Sequence, residues 1–135
     1  MGIWLDYNGY IGAGKLFAKY SAEEQAHAEK AYGYLLDLDI QPSVPAISKP
    51  VGEYKSLPEI IDLSYKHELE ITRQCQELAK AANTLNDFMT LELAQWYLTE
   101  QVEEIAKTSM LKDRLEAFGE DKIALRMLDK EMGEL

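Results

Sequence analysis

Acidic residues and one histidine interrupt the apolar faces of three predicted helices, at spacings that suit a metal site. The interruptions are Glu24-x-x-His27, then Glu68, then Glu100-Gln101-x-Glu103-Glu104. Carboxylates without a partner are costly to bury, and several together repel one another, so a buried cluster of this kind needs a cation. Carboxylate oxygens with a single imidazole suit iron or manganese and are a poor set for structural zinc. The pattern predicts a di-iron carboxylate site in a helical bundle.

The Glu24–His27 spacing places both side chains on one face of a helix, where they can meet one ion. Alone, this motif is a weak signal in an acidic helical protein. The alternative is that the helices are rotated slightly from the assumed orientation, so that the acidic residues form solvated faces. We favour the metal site because apolar stripes are interrupted on three separate helices.

Length and charge restrict the classes of protein further. A chain of 135 residues predicts one domain. Its formal charge of −10 argues against nucleic acid and anionic membranes as partners and suits cations. Cys75 is the only cysteine, which favours a reducing compartment. Since neither a membrane span nor a signal peptide is recognisable, we expect a cytoplasmic location.

Hydrophobic periodicity predicts an all-α protein with three long helices, at residues 10–38, 56–82 and 88–117, and a short helix at 121–132. Residues 1–9 are predicted as coil or a helix remnant. The sequence Ser56-Leu57-Pro58-Glu59 is a capping box with proline in the first turn, which is typical of a helix start. All four prolines lie between positions 42 and 58, so the segment before this helix is predicted to be a long crossover connection.

Three other features are not predicted to carry chemistry. Gly9-x-x-x-x-Gly14-Lys15 resembles the start of a phosphate-binding loop, but Leu16 replaces the required Ser or Thr and no strand precedes the motif. We expect its glycines to loosen the start of a helix. Cys75 lies on an apolar stripe, where burial is expected rather than catalysis. His67 lacks a glutamate three positions before it and is not expected to be a ligand.

Three segments together carry a family resemblance: Glu23-Glu24-x-x-His27, Tyr65-Lys66-His67-Glu68, and Gln95-Trp96-Tyr97-x-x-Glu100-Gln101-x-Glu103-Glu104. With these spacings the chain resembles the non-haem bacterial ferritins over nearly its whole length. Only one Glu-x-x-His motif is present, which favours the ferritin branch over bacterioferritins and rubrerythrins. The resemblance implies a ferritin-like antiparallel helix bundle with a long crossover loop and a short C-terminal helix.

The resemblance also implies roles for individual residues. One iron of a ferroxidase pair would be held by Glu24 and His27, and the other by Glu24, Glu68 and Glu104, with Gln101 nearby. A third iron site would use Glu23, Glu100, Glu103 and Glu104. Iron(II) would be oxidised by dioxygen or peroxide, and the ferric product stored in a homo-oligomeric shell of 24 subunits.

The expected function is therefore ferroxidase activity and iron storage. The chain begins roughly where the first ferritin helix, which carries one ligand glutamate, should end, so weaker ferroxidase activity is expected. One alternative is a structural or assembly protein that keeps the bundle for oligomerisation without turnover. A different di-iron oxidase acting on an organic substrate is disfavoured by the missing second Glu-x-x-His motif.

Overall fold

The computed structural model describes all 135 residues, which form five α-helices and no strand. The helices are α1 (Gly2–Tyr7), α2 (Ile11–Asp37), α3 (Leu57–Leu85), α4 (Phe88–Phe118) and α5 (Lys122–Met132). The all-α class is confirmed. Helix α1 lies where the sequence predicted coil or a helix remnant, and α3 continues to Leu85 where the prediction ended at residue 82. Two compact units are present: 1–55 with 126–135, and 56–125.

The second unit is an antiparallel pair of helices, α3 and α4. Lys112 of α4 contacts Asp62 near the start of α3, and Gln101 contacts Glu68 further along α3. A contact that lies further along α3 therefore lies earlier along α4, so the two helices run antiparallel. Buried residues of the pair recur at steps of three, four or seven, as expected for one packed face per helix: Leu57, Ile60, Ile61, Ser64 and Glu68 on α3, and Ala94, Gln101, Glu104, Thr108 and Leu111 on α4.

Local sequence signals fix the ends of this helix pair. The Ser56 hydroxyl accepts a hydrogen bond from the Glu59 backbone N–H at 3.2 Å, which satisfies one of the unpaired donors of the first turn of α3. Asn86 ends α3 in the left-handed conformation, at φ 56°. Asp87 then caps α4 by accepting from the Thr90 backbone N–H at 3.0 Å. A two-residue connection therefore reverses the chain.

The first unit packs the end of α5 against the start of α2. Asp129, only 9% exposed, accepts a hydrogen bond from the Ala13 backbone N–H at 2.9 Å. A carboxylate is favoured there because the first N–H groups of a helix lack helical partners and carry a partial positive charge. Arg126 hydrogen-bonds the Gly9 carbonyl oxygen and lies 4.8 Å from the centre of the Tyr10 ring. The start of α2 is thus held by residues more than a hundred positions away.

Close packing explains Gly14 of the motif that resembles a phosphate-binding loop, and Gly12, which lies within the motif. A Cβ at Gly12 would lie 1.9 Å from the Asp129 carbonyl oxygen, and one at Gly14 would lie 2.0 Å from Asp6 Oδ1. Both glycines lie inside α2, which is continuous from Ile11. They allow α5 and the Asp6 side chain of α1 to approach α2 closely, and the expectation that the glycines of the motif loosen the helix start stays a prediction.

The connection between α2 and α3 contains no helix from residue 40 to residue 54, as the prolines predicted. Near its end, the Tyr54 hydroxyl donates to the Val51 carbonyl oxygen at 3.0 Å, and the Tyr54 ring packs edge-on against Trp4 of α1. None of the five helices combines the length and the apolar character that crossing a membrane requires.

Candidate metal centre

Three side chains that end in a carboxyl or amide group are buried in the α3–α4 pair, in addition to the smaller hydroxyl residues Ser64 and Thr108. Glu68 is 8% exposed, Gln101 is 5% exposed and Glu104 is 6% exposed. Gln101 and Glu104 are three residues apart, so they share one face of α4, and Gln101 contacts Glu68 on α3. These three residues are the buried carboxyl and amide side chains of the α3–α4 pair, and all three were predicted site residues.

The Gln101 amide nitrogen holds Glu68 in place across the helix pair. It lies 3.3 Å from Glu68 Oε2, 3.2 Å from the Glu68 carbonyl oxygen and 3.1 Å from Thr72 Oγ1. The Thr72 hydroxyl donates its own hydrogen to the Glu68 carbonyl oxygen at 2.8 Å, so it accepts from Gln101. An ionised carboxylate only accepts hydrogen bonds, which orients the amide with its nitrogen towards Glu68.

Glu104 is paired with a cation from its own helix. Lys107 Nζ lies 2.8 Å from Glu104 Oε1, and the Glu104 side chain is only 7% exposed. The Glu104 backbone is also engaged, because the Thr108 hydroxyl donates to its carbonyl oxygen at 2.8 Å. A buried carboxylate thus has a nearby positive charge that partly offsets the cost of its desolvation.

The predicted pair on α2 is present, but it is less buried than the apolar stripe suggested. His27 Nδ1 lies 3.5 Å from Glu24 Oε2, as the three-residue spacing predicted. The His27 side chain is 17% exposed, whereas that of Glu24 is 53% exposed. Burial of Glu24 within this chain was therefore wrongly expected. Residues Ala13, Gly14, Leu16 and Phe17 form the buried part of α2, nearer its start.

The residues predicted for a third iron site lie closer to the surface. Glu103 is exposed, and Glu23 and Glu100 are half-buried. On α4 the predicted stripe included Glu100, whereas the buried face includes Gln101. The prediction was thus right for Glu104 and one position off at Glu100. The assignment of these three residues to iron stays a prediction.

No group of three or more His, Cys, Asp or Glu side chains lies together in a geometry that could hold a metal ion. The carboxylates instead engage protein partners: Gln101 for Glu68, Lys107 for Glu104, and His27 for Glu24. The chemistry of the donors nevertheless fits iron. Two buried carboxylates and an amide on facing helices offer hard oxygen atoms, and no soft thiolate is among them.

Sequence reasoning missed two residues of this region. Thr72 was not singled out, although its hydroxyl receives the Gln101 hydrogen bond. Lys107 was not singled out, although a lysine three positions after a glutamate is a common ion pair on a helix surface. This pair differs from a surface ion pair because Glu104 is buried, as its place in the apolar stripe predicted.

Other residues of α3 and α4 surround this buried group. His67 is exposed, and its Nδ1 lies 3.5 Å from Glu68 Oε1. Cys75 is half-buried, and burial raises the pKa of its thiol, which disfavours the nucleophilic thiolate. Trp96 and Tyr97 pack edge to face at 4.9 Å between ring centres.

Comparisons with known proteins agree on one family. Residues 1–118 match the ferritin-like domain. The whole chain aligns with a probable bacterial non-heme ferritin-like protein of Haemophilus influenzae at 36% identity, and with a bacterial non-heme ferritin of Escherichia coli O6:H1 at 35%, covering 82% of each. A solved structure of an open pore ferritin from Archaeoglobus fulgidus superimposes with a TM-score of 0.94 at 32% identity, over 98% of this chain and 82% of that one. The chain therefore belongs to the ferritin-like family, with the helical fold of that family and with non-haem ferritins among its relatives.

Proposed function

We propose that this protein binds Fe(II), oxidises it to Fe(III) and stores the product. The observation that carries the proposal is the buried group of Glu68, Gln101 and Glu104 on two facing helices, in a chain of the ferritin-like family. Buried carboxylates are costly unless a cation compensates them. Iron is the cation that both the hard oxygen donors and the family support.

Two sets of residues are proposed as further iron ligands on the strength of the sequence resemblance. Glu24 and His27 are assigned to the iron pair, and their contact at 3.5 Å supports the proposal that they bind the same ion. Glu23, Glu100 and Glu103 are assigned, with Glu104, to a third iron site. The lower ferroxidase rate expected from the sequence also stays a prediction.

The proposed reaction treats iron as the substrate. Two Fe(II) ions each lose one electron, and one dioxygen with two protons takes up both electrons to give hydrogen peroxide. With peroxide as the oxidant, two electrons and two protons give two water molecules. Carboxylates at Glu68 and Glu104 favour this direction because hard anionic oxygen binds the smaller, more highly charged Fe(III) more strongly than Fe(II).

A homo-oligomer is the proposed working form, with a 24-subunit shell as the assembly implied by the resemblance. Several large apolar side chains are strongly exposed in the single chain, including Ile47 at 84%, Leu85 at 77% and Ile123 at 74%. Such surfaces are typical of contacts between subunits. A cytoplasmic location remains the proposal from composition.

Titration with Fe(II) tests the proposal most directly. Anaerobic calorimetry would measure Fe(II) affinity for the wild type, Glu68→Gln and Glu104→Gln, which keep side-chain size and remove a charge. Glu77→Gln is the matched control, because Glu77 is exposed on α3 and pairs with Arg73. We expect both buried-site variants to lose at least about tenfold in affinity, the effect of about 1.4 kcal/mol, and the control to bind as the wild type does.

Admission of air to the iron-loaded protein tests turnover. Ferric–oxo absorbance should rise faster than in iron solution alone, and more slowly in the two buried-site variants. Equal affinities for all variants would remove the site assignment. An assembled particle that binds no iron and produces no ferric product would instead support the structural or assembly role.

A further inference from the structure

A lysine forms an ion pair with one oxygen atom of Glu104, a carboxylate that the proposed function assigns to iron. Lys107 Nζ lies 2.8 Å from Glu104 Oε1, a distance typical of a charge-assisted hydrogen bond. Both residues belong to α4, and their three-residue spacing keeps them on one face of the helix. The lysine can therefore reach Glu104 without any rearrangement of the backbone.

The two partners differ in their access to solvent. The Glu104 side chain is 7% exposed, whereas that of Lys107 is 31% exposed. A lysine ammonium ends a flexible four-carbon chain and is strongly hydrated in water. The carboxylate is therefore fixed in the protein interior, while the ammonium can leave it by rotation of its own side chain. Lys107 thereby supplies a positive charge beside the buried carboxylate of Glu104.

We propose that Lys107 is a displaceable counter-cation that competes with Fe(II) for Glu104. Iron binding at Glu104 then requires the ammonium to move away from Oε1, because a divalent ion and an ammonium repel each other at the same carboxylate. This inference rests on the proposed function, since it concerns the same carboxylate. Its consequence is that Lys107 keeps the empty site stable and sets a lower limit on the iron concentration that fills it.

A second lysine on α4 provides a matched comparison. Lys112 lies 3.5 Å from Asp62, and both side chains are about 40% exposed, at 41% and 42%. Removing Lys112 changes the net charge of the protein as much as removing Lys107 does. It leaves the buried carboxylate of Glu104 with its partner, so a general charge effect can be separated from the competition.

Anaerobic calorimetry with Fe(II) tests the competition. Lys107→Met keeps an unbranched apolar chain and removes the ammonium, and we expect its Fe(II) dissociation constant to fall on the order of tenfold relative to the wild type, which corresponds to about 1.4 kcal/mol. Lys112→Met should stay within about twofold of the wild type, because exposed ion pairs are weak. The metal-free Lys107→Met protein should unfold at a lower temperature than the wild type, and Fe(II) should raise its unfolding temperature by more.

A second variant, Lys107→Gln, tests the competition if Lys107→Met folds poorly. Lys107→Gln retains a hydrogen-bond donor for Glu104 without a positive charge, and it should also bind Fe(II) more tightly than the wild type. Unchanged or weaker binding by the Lys107 variants, while the wild type binds, would overturn the competition and leave the proposed function intact. Equal tightening in Lys112→Met would also overturn it. Binding by the Lys107 variants alone would support it, and no binding by any of these proteins would remove both proposals.

Discussion

Gln101 shows how a neutral amide helps to hold a buried carboxylate in place across two helices. Its amide nitrogen reaches the Glu68 side chain, the Glu68 carbonyl oxygen and the Thr72 hydroxyl. We expect Gln101→Leu to lower the free energy of unfolding by about 1–3 kcal/mol, because Glu68 loses a donor while staying buried. Urea unfolding of the metal-free protein would measure the change.

Gln95 supplies the control for this prediction. It lies on the same helix but is exposed, so Gln95→Leu should alter the free energy of unfolding by less than about 0.5 kcal/mol. If the two leucine variants were equally stable, the Gln101 hydrogen bonds would contribute nothing to the fold.

Glu70 and Arg73 predict a dependence of stability on acid pH. Two hydrogen bonds from Arg73, at 2.7 and 2.9 Å, and one from Gln74 lower the pKa of Glu70 from 4.5 to about 2. Because the folded-state pKa is lowered, the stabilisation is present above pH 4.5 and is lost as pH falls towards about 2. The difference in unfolding temperature between the wild type and Arg73→Met should therefore shrink over this interval.

Lys66→Met is the comparison for this pH dependence, since Lys66 pairs with Asp62 at 2.6 Å, one turn earlier on α3. It should leave the pKa of Glu70 unchanged. A difference between the wild type and Arg73→Met that stayed constant from pH 6 to pH 2 would show that the Glu70 pKa is not set by Arg73.

For single residues, the sequence predicts which side chains could bind a metal better than it predicts their burial and contacts. Glu68 and Glu104 are buried as their positions in apolar stripes indicated, but Glu24 is largely exposed. Helix α4 carries apolar residues around much of its circumference, so periodicity alone does not select the packed face. This explains why Glu100 was assigned to the stripe and Gln101 is the residue that is buried. The Lys107 contact depends on packing and rotamer, which no sequence pattern specifies.

Two glycines of α2 give the clearest prediction at the scale of helices. A Cβ at Gly12 would lie 1.9 Å from the Asp129 carbonyl oxygen, whereas one at Gly33 would have nothing within 4 Å. We expect Gly12→Ala to destabilise the protein by about 1–3 kcal/mol, because the backbone of α5 must move away. We expect Gly33→Ala to stabilise it by about 0.5–1 kcal/mol through helix propensity.

Chemical unfolding of both variants, with far-UV circular dichroism to confirm helix content, would test this contrast. The free energy of unfolding should change with opposite sign in the two variants, because the substitution and the helix are the same and only the surroundings of the glycine differ. A Gly12→Ala protein as stable as the wild type would mean that α5 does not pack closely on the start of α2.

Helix boundaries were largely predictable because their signals are local. The Ser56 cap, the prolines of the connection, and Gly119 at the end of α4 all lie within a few residues of the boundary that they set. The return of α5 to the start of α2 was not predictable. It depends on the Asp129–Ala13 hydrogen bond across 116 positions and on a close approach at Gly12, for which the sequence offers only an unexplained glycine.

For the whole molecule, net charge and exposed apolar surface have opposite effects on association between chains. The formal charge of −10 opposes non-specific aggregation. Strongly exposed apolar residues, such as Val102 at 71% and Phe88 at 67%, favour specific contacts that remove them from water. A defined assembly satisfies both tendencies, since it buries selected surfaces and leaves charged ones in solvent.

The single chain is therefore not expected to persist as a monomer. Burial of several hundred Å² of apolar surface, at about 25 cal/mol per Å², contributes on the order of 10 kcal/mol, comparable to the stability of a small domain. Light scattering and sedimentation should find a discrete particle many times heavier than 15.4 kDa. Phe88→Glu tests whether an exposed apolar side chain contributes to the assembly of the particle. Glu92→Lys, at an exposed position one turn further along α4, is the comparison that changes charge without removing an apolar side chain. A monodisperse 15.4 kDa species with cooperative unfolding would show that the exposed apolar residues need no partner.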